Sequence, residues 1–282
     1  MTEFMGKILE NPLIASSCIA TENVKNVLRL AENGVQGAIL KSCADYERGD
    51  FSGKREFAGD TETDFVYASS PFQAEILTLS ESLSLMAQLR PKTDILLIPS
   101  FTAENLEIKS WLPACQALAD SGADGIQLDF FYMGNLIGQE NFSENLSFFL
   151  KKLIKNVNIP IMPKLNINLP KDFIMPLLAE SGIEYVSLLD SVRSPYIRRD
   201  KDENFITDSR LDPETTSCFG SCQLPLTLSY AYTAVKYGLK VCAGGGITCA
   251  DDVKKLLALG VETVQSASFL TKYPDRAKSL IV

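Results

Sequence analysis

Three consecutive glycines, Gly244, Gly245 and Gly246, are the first candidate for ligand binding in this sequence. They follow a short apolar stretch and precede a helical pattern that Thr248 or Asp251 can cap. The bare amides of such a turn, at the start of a helix, can bind a phosphate group. A tight connection between a strand and a helix uses the same residues, so the glycines alone leave both interpretations open.

Two lysines, Lys41 and Lys164, each follow an apolar stretch directly. Lysine is seldom buried without a partner, and a single lysine at such a place is explained by a side chain that extends to solvent. Two of them at the ends of predicted strands are better explained by an anionic or electron-rich cofactor between the two amines. We therefore predict that both lysines face one ligand.

The residue types present exclude several kinds of chemistry. The 282 residues contain no histidine, which removes Ser-His-Asp and Cys-His pairs, histidine-bearing zinc sites and imidazole proton shuttles. A formal net charge of -8, without a basic run, disfavours a nucleic-acid partner. Seven scattered cysteines with no CxxC pair are typical of reduced thiols in a cytoplasmic protein. No apolar run reaches the roughly 18 residues of a membrane span, and no metal site is predicted.

Short apolar runs alternate eight times with amphipathic helical patterns, which predicts a parallel sheet. The predicted strands lie near Leu13–Ser16, Gly37–Leu40, Asp94–Ile98, Gly125–Asp129, Ile161–Leu165, Tyr185–Leu189, Lys240–Ala243 and Thr263–Ser266. The predicted helices are Glu22–Asn33, Phe72–Leu89, Leu106–Ser121, Ser143–Asn156, Lys171–Ser181, Leu226–Tyr237, Ala250–Leu259 and one from Ser268. The prediction is an α/β fold in which residues 1–282 form a single (β/α)8 TIM barrel.

Two inserts, residues 42–71 and 190–225, interrupt the regular alternation. Both follow the C-terminal ends of predicted strands, where barrel enzymes have their active sites, so we predict that they lie over the active-site mouth. The three glycines follow the seventh strand, and Gln265 to Ser268 follow the eighth. The loops after strands seven and eight form the recurrent phosphate site of such barrels. This position favours a phosphate-bearing ligand over a plain turn.

Further motifs are spread over nearly the whole chain in a fixed order. They are Asn11-Pro12 with Ala15-Ser16-Ser17, Lys41-Ser42 with Arg48-Gly49-Asp50, Pro163-Lys164-Leu165, Gly220-Ser221, Gly244 to Ile247, and Gln265 to Ser268. In this order and spacing the sequence resembles the dihydroorotate dehydrogenase family, in particular its class I, FMN-dependent branch. No single motif is specific, and the resemblance depends on their combination.

The resemblance implies an FMN across the barrel mouth. Its phosphate would lie against the glycine turn and the start of the last helix, and a cation, Lys164 or Lys41, would stabilise the reduced ring. Class I relatives also suggest a homodimer. The implied cofactor-binding residues are Ala15, Ser16, Lys41, Ser42, Lys164, Gly220, Ser221, Gly244, Gly245, Gly246, Ala267 and Ser268.

The substrate side departs from the family pattern. In the family, the loop after strand four carries a cysteine base between two asparagines, whereas here Tyr132 stands in place of the cysteine. Asp129 and Asp190 replace two asparagines that hold orotate in the family. These changes predict a substrate other than dihydroorotate, with a cationic or donor-rich group toward the two carboxylates.

Two interpretations of Tyr132 stay open. It can donate or accept a proton, or it can form an aromatic lid with Phe130 and Phe131. The catalytic candidates are Tyr132, Lys41, Asp129 and Asp190.

Together these features predict an FMN-dependent oxidoreductase that acts on a small molecule. One alternative is a lyase, isomerase or synthase whose phosphate loops hold a phosphorylated substrate. Another is a homologue that binds FMN without catalysis.

Overall fold

The computed structural model describes residues 1–45, 56–60, 65–69, 76–130, 140–208, 211 and 216–282. In this part of the chain, parallel strands fill eight positions: β1 (Leu13–Ala15), β2 (Gly37–Ile39), β3 (Leu96–Ile98 and Ser100–Thr102), β4 (Ile126–Asp129), β5 (Ile161–Lys164), β6 (Tyr185–Leu188), β7 (Lys240–Gly244) and β8 (Thr263–Ser266). A helix follows each of them: α1 (Val24–Glu32), α2 (Leu79–Leu89), α3 (Ile108–Asp120), α4 (Phe142–Asn156), α5 (Lys171–Glu180), α6 (Leu224–Lys236), α7 (Ala250–Ala258) and α8 (Ser268–Lys272).

The parallel strands close into a ring. Each strand pairs in parallel with the next one in chain order, and β8 pairs with β1. Pro99 interrupts β3, so that Ile98 pairs with Ile39 of β2 while Ser100 pairs with Gln127 of β4. The predicted (β/α)8 barrel is therefore confirmed.

Shorter elements surround the barrel. An N-terminal hairpin joins Thr2–Phe4 to Lys7–Leu9, and a second hairpin joins Ile197–Arg199 to Phe205–Thr207. Short parallel strands Cys43–Ala44 and Leu77–Thr78 extend the sheet beside β3. A separate antiparallel sheet, the insert sheet, consists of Val192–Arg193, Ser217–Gly220, Phe65–Ser69 and Glu56–Asp60 in that order. The 3-10 helices are Ile19–Thr21, Arg90–Lys92, Ser221–Gln223 and Pro274–Leu280.

Both predicted inserts contribute strands to the insert sheet, in which Tyr67 pairs with Cys218. Their location over the mouth, and the single domain, stay predictions. Among the described helices, none is long and apolar enough to cross a membrane.

Helix α2 begins later than predicted. The prediction began at Phe72, but residues 70–75 lie outside the described part, and the helix starts at Leu79. The Thr78 hydroxyl accepts the N–H of Glu81, and the Glu81 carboxylate accepts the N–H of Thr78. This reciprocal capping box fixes the helix start, and it was readable from the Thr-x-x-Glu spacing.

The barrel interior changes from apolar to polar along its axis. Side chains alternate between the inside and the outside of each strand, and Ile14, Ile98, Met162 and Cys242 of alternate strands share one buried inner cluster. The N-terminal hairpin closes this end, where Phe4 packs edge-to-face on Tyr185 at 5.1 Å. Toward the C-terminal ends, the inward positions carry buried polar residues: Lys41, Ser100, Gln127, Asp129, Lys164, Ser187 and Gln265. The polar end of the barrel is therefore the end that can bind a polar ligand.

The N-terminal hairpin supplies a test of this closure. Phe4 is 1% exposed and Ile8 is 75% exposed. We expect Phe4→Ala to lower the free energy of unfolding by about 3–5 kcal/mol, because it opens a cavity in the inner cluster, to which Phe4 belongs. The control Ile8→Ala should change it by less than about 0.5 kcal/mol. Urea unfolding of both variants measures the difference, and equal effects would contradict the proposed packing.

Candidate active site

A buried ion cluster joins the ends of three neighbouring strands. The ammonium Nζ of Lys164, which ends β5, lies 2.5 Å from Oδ2 of Asp190 and 3.8 Å from Oδ2 of Asp129. Asp129 ends β4, and Asp190 follows β6 with its N–H donating to the carbonyl of Leu165 at 3.0 Å. The side chains of Lys164 and Asp129 are less than one-tenth exposed. The structure thus brings together three of the predicted site residues.

The two carboxylates control the charge of Lys164. Burial alone would lower the pKa of this amine, but the charges of Asp129 and Asp190 and the hydrogen bond to Asp190 outweigh burial and raise its pKa above the usual value. Lys164 therefore remains an ammonium ion at neutral pH. Within the protein, the carboxylates of Asp129 and Asp190 compensate this positive charge.

A serine chain continues from this cluster across the barrel. The hydroxyl of Ser42 donates to Asp129 Oδ2 at 2.6 Å and lies 3.1 Å from the Ser100 hydroxyl and 3.2 Å from that of Ser17. Gln127 Nε2 donates to Ser100 Oγ at 2.8 Å. The predicted cofactor residue Ser42 is therefore part of the same polar network as the predicted catalytic residue Asp129.

Lys41 lies at the polar end of β2. Ile39, the last residue of β2, belongs to the inner cluster, and Leu40 belongs to the core outside the barrel. The N–H of Leu40 continues the pairing of β2 by donating to the carbonyl of Ile98 at 2.8 Å. Continued alternation places Lys41 on the inner side, where it is only 8% exposed. Its N–H donates to the carbonyl of Thr21 at 3.3 Å. Both predicted lysines thus occupy the polar half of the interior.

The predicted phosphate loops lie side by side, because Gly244 at the end of β7 is in register with Gln265 of β8. The backbone N–H groups of Gly246, Ile247, Ala267 and Ser268 have no hydrogen-bond partner within the described residues. Unpaired amides on two adjacent strand ends form a donor set suited to an anion.

The glycines of the turn are also required by packing. Gly245 has φ +104, and a β-carbon there would lie 2.9 Å from the hydroxyl of Thr227, which already donates to the carbonyls of Gly244 and Gly245. A β-carbon at Gly246, with φ +86, would collide with the backbone of Leu224 at the start of α6. Substitution of these glycines would therefore disturb the fold as well as any ligand, so it cannot test phosphate binding.

The remaining predicted cofactor residues differ in their placement. The N–H of Ser16 donates to the carbonyl of Ser266 at 3.0 Å. The side chain of Ala15 belongs to the core between the barrel and the helices, so only the backbone of Ala15 is available to a ligand. Gly220, with φ +114, ends the insert sheet, and Ser221 begins the 3-10 helix that follows. Gln223 of that helix donates its side-chain amide to the carbonyl of Asp190 at 2.8 Å, which ties this segment to the ion cluster.

The aromatic residues after β4 separate into two groups. Phe130 is 4% exposed and packs on Trp111 with ring centroids 5.8 Å apart. It is a core residue and not part of a lid. Phe131 and Tyr132 lie outside the described residues, so both interpretations of Tyr132 stay predictions.

Two buried polar residues at the mouth were missed by the sequence interpretation. Thr102 ends β3, and Asn166 follows Lys164 by two residues. Each lies two residues beyond an inward-facing residue, Ser100 or Lys164. Because strand residues two apart share a face, this spacing could have predicted that both side chains face the mouth.

Comparison with known proteins supports the fold alone. No protein-family model matches the sequence, and no curated protein matches it. Among solved structures, the chain is similar to a dihydroorotate dehydrogenase from Eimeria tenella in complex with ferulenol, with a TM-score of 0.75 and 12% identity over 99% of this chain and 81% of the other. The barrel is therefore of the same fold as that enzyme.

The ion cluster can be tested through stability. Lys164→Met removes the cation and leaves Asp129 and Asp190 buried, so we expect a loss of about 3–5 kcal/mol in the free energy of unfolding at neutral pH. The surface control Lys171→Met, whose partner Asp172 is exposed, should lose at most about 1 kcal/mol.

The pH dependence gives a second readout of the same variant. Because the pKa of the Lys164 amine is raised in the folded protein, its contribution to stability is fully present below the unfolded value of about 10 and is lost as pH rises through the folded value. We therefore expect the stability deficit of Lys164→Met relative to the parent protein, measured by urea unfolding, to be larger at pH 8 than at pH 11. A deficit that is equal at the two pH values would contradict this cluster.

Proposed function

We propose that this protein is an FMN-dependent oxidoreductase, resembling class I dihydroorotate dehydrogenase, that acts on a small molecule other than dihydroorotate. The observation that carries the proposal is the donor set of Gly246, Ile247, Ala267 and Ser268 beside a mouth that contains two buried lysines. The barrel fold shared with a dihydroorotate dehydrogenase agrees with it. A terminal phosphate at one side and a polar ring system at the other match this arrangement.

The residues present fit a flavin mononucleotide. The four amide N–H groups supply donors for the phosphate, and α8 has only five residues, so the individual amides rather than a helix dipole would do the binding. Ser16, Lys41, Ser42, Gly220 and Ser221 would contact the ribityl chain and the ring, with Ala15 contributing its backbone. When bound, the flavin supplies two-electron exchange with the substrate.

The two lysines differ in what they can offer the ring. Lys164 is already balanced by Asp129 and Asp190 at 3.8 and 2.5 Å, so its main role here is to hold these carboxylates in place. Lys41 is also buried in the polar layer, so we propose that both cations, Lys164 and Lys41, stabilise the reduced ring at its pyrimidine end.

The substrate side disfavours dihydroorotate. Asp129 and Asp190 would face the carboxylate of that molecule, and like charges in a buried site weaken binding strongly. Asp129 remains an acceptor for Ser42 and for Lys164, so it can orient N–H groups of a substrate. Tyr132 is proposed as the proton donor or as a lid of this site.

Flavin binding is tested by a charge placed at the phosphate loop. In Ser268→Asp, a carboxylate at the start of α8 repels a phosphate, while acidic residues at a helix start do not destabilise the helix. We expect folding to be unchanged and the flavin content of the purified protein to fall by at least about tenfold. The matched control Ser80→Asp, in the first turn of α2, should keep its flavin.

Absorbance and mass spectrometry of the released chromophore provide the measurement. Full flavin content in Ser268→Asp would place the phosphate elsewhere. A colourless parent protein whose melting temperature rises with phosphorylated metabolites would instead support the lyase, isomerase or synthase alternative. Bound flavin with no turnover of any donor would support a binding homologue.

A further inference from the structure

Two cysteine thiols are in contact where the insert sheet ends. The Sγ atoms of Cys218 and Cys222 lie 3.6 Å apart. Cys218 belongs to the strand Ser217–Gly220, and Cys222 belongs to the 3-10 helix that follows it. A disulfide bond is about 2.0 Å long, so oxidation would bring the two sulfur atoms closer by only about 1.6 Å. The two thiols are therefore arranged to form a disulfide after a small movement.

A turn of the backbone brings these thiols together. Residues four apart in an extended strand lie about 13 Å from each other. Gly220, between the two cysteines, has φ +114, a conformation that favours glycine, and it turns the chain from the strand into the 3-10 helix. The contact between Cys218 and Cys222 therefore follows from the fold of this segment.

The two thiols differ in their access to solvent. Cys218 is 8% exposed, whereas Cys222 is only half-buried, so a small molecule reaches the pair from the side of Cys222. Burial and the hydrogen bond with Cys218 raise the pKa of the Cys222 thiol to about 12. Because thiolates rather than thiols react with disulfides, exchange at this pair is slow at neutral pH. The equilibrium between dithiol and disulfide is therefore the property to measure.

The strand of Cys218 is held more firmly than the 3-10 helix of Cys222. Cys218 pairs with Val192 in one neighbouring strand and with Tyr67 in the other. The 3-10 helix has only three residues, and such short helices have weak hydrogen bonds of their own. The movement that closes a disulfide therefore falls mainly on the 3-10 helix.

This 3-10 helix is tied to the candidate active site at two points. Gln223 donates its side-chain amide to the carbonyl of Asp190 at 2.8 Å. The next residue, Leu224, lies so close to the glycine turn that a β-carbon at Gly246 would collide with its backbone nitrogen. A shift of Cys222 therefore disturbs both the ion cluster and the predicted phosphate loop.

We propose that Cys218 and Cys222 are a redox modification site, which forms a reversible disulfide by exchange with a small disulfide such as oxidised glutathione and thereby moves the 3-10 helix away from Asp190. The reduced form is then the form that binds a ligand at the mouth. For flavin as this ligand, the inference rests on the proposed function.

The exchange takes place in two steps. One protein thiol loses its proton and attacks a sulfur atom of the small disulfide, which releases one small thiolate and leaves a mixed disulfide. The other protein thiol loses its proton and attacks the mixed disulfide, which releases the second small thiolate. The pair Cys218 and Cys222 is oxidised by two electrons, and the small disulfide takes up these electrons and both protons to become two thiols.

Peptide mapping tests the disulfide. The full-length protein is equilibrated with equal millimolar concentrations of glutathione and oxidised glutathione, its remaining thiols are alkylated, and it is digested with trypsin. Cleavage after Arg210 and Lys236 gives a peptide that contains Cys218 and Cys222 and no other cysteine. We expect more than about half of this peptide to contain the internal disulfide, because two thiols in contact have a high effective concentration for each other. A peptide that stays reduced, or that mainly carries glutathione, would overturn the inference.

Two variants serve as controls for the mapping. Cys222→Ser keeps the size of the side chain and removes one sulfur atom, so the peptide should contain no internal disulfide. Cys249→Ser removes an exposed cysteine outside this peptide, and it should form the internal disulfide as the parent protein does. The fully buried cysteines should stay free of glutathione while the protein is folded: Cys43, Cys115 and Cys242.

Hydrogen exchange tests the movement without any ligand. In the reduced protein the N–H of Asp190 donates to the carbonyl of Leu165, and the carbonyl of Asp190 accepts the amide of Gln223. We expect the N–H groups of residues 189–191 to exchange at least about tenfold faster after oxidation, because this segment loses a contact that holds it. Cys222→Ser, treated with the same glutathione mixture, should show no change. A parent protein that forms the disulfide with unchanged exchange at these residues would overturn the link to the active site.

The affinity for FMN, measured on the same samples, separates this inference from the proposed function. We expect oxidation to weaken FMN binding by about tenfold in the parent protein and in Cys249→Ser, but not in Cys222→Ser. Equal FMN affinity of the oxidised and reduced parent would overturn the regulatory effect. A protein that binds no FMN in either form contradicts the proposed function, and the peptide map and the hydrogen exchange then decide the inference by themselves.

Discussion

The ammonium group of Lys164 between Asp190 and Asp129 is the interaction on which the mouth of this barrel depends. A charge at this depth is tolerated only when opposite charges and hydrogen bonds compensate it. The three residues come from the ends of three neighbouring strands, and Asp129 is in register with Lys164. Their attraction therefore stabilises the relative positions of these strand ends. The same pairing compensates the charge of Lys164 and orients the two carboxylates.

The two ends of the barrel interior differ in role, because the apolar end stabilises the fold and the polar end can bind a ligand. Ile14, Ile98, Met162 and Cys242 form a dry layer at one end, and the stability of the barrel depends on such packing. Above it, Ser100, Gln127 and Ser42 form a hydrogen-bonded chain that leads to Asp129. A ligand can therefore exchange hydrogen bonds with the upper half without disturbing the apolar half.

The sequence predicted the barrel well because strands buried on both faces have continuous apolar runs. The predicted start of α2 at Phe72 is wrong, because Leu77–Thr78 form a short strand and the capping box of Thr78 and Glu81 begins the helix at Leu79. Lys41, Lys164, Asp129 and Asp190 could be named because they directly follow such runs. Their pairing could not, since it depends on which strands are neighbours and at what register. The burial of Thr102 and Asn166 is likewise a three-dimensional property, because any polar residue at a strand end looks the same in a sequence.

The insert sheet has a consequence for biosynthesis. Its central pair joins Phe65–Ser69 to Ser217–Gly220, segments about 150 residues apart. While the chain is being made, the earlier hairpin, Glu56–Asp60 with Phe65–Ser69, has an open edge whose partner is not yet synthesised. Closing so long a loop is entropically unfavourable until the intervening barrel strands have folded. The edge therefore stays available to other nascent chains, and to chaperones, until about three quarters of the protein has left the ribosome.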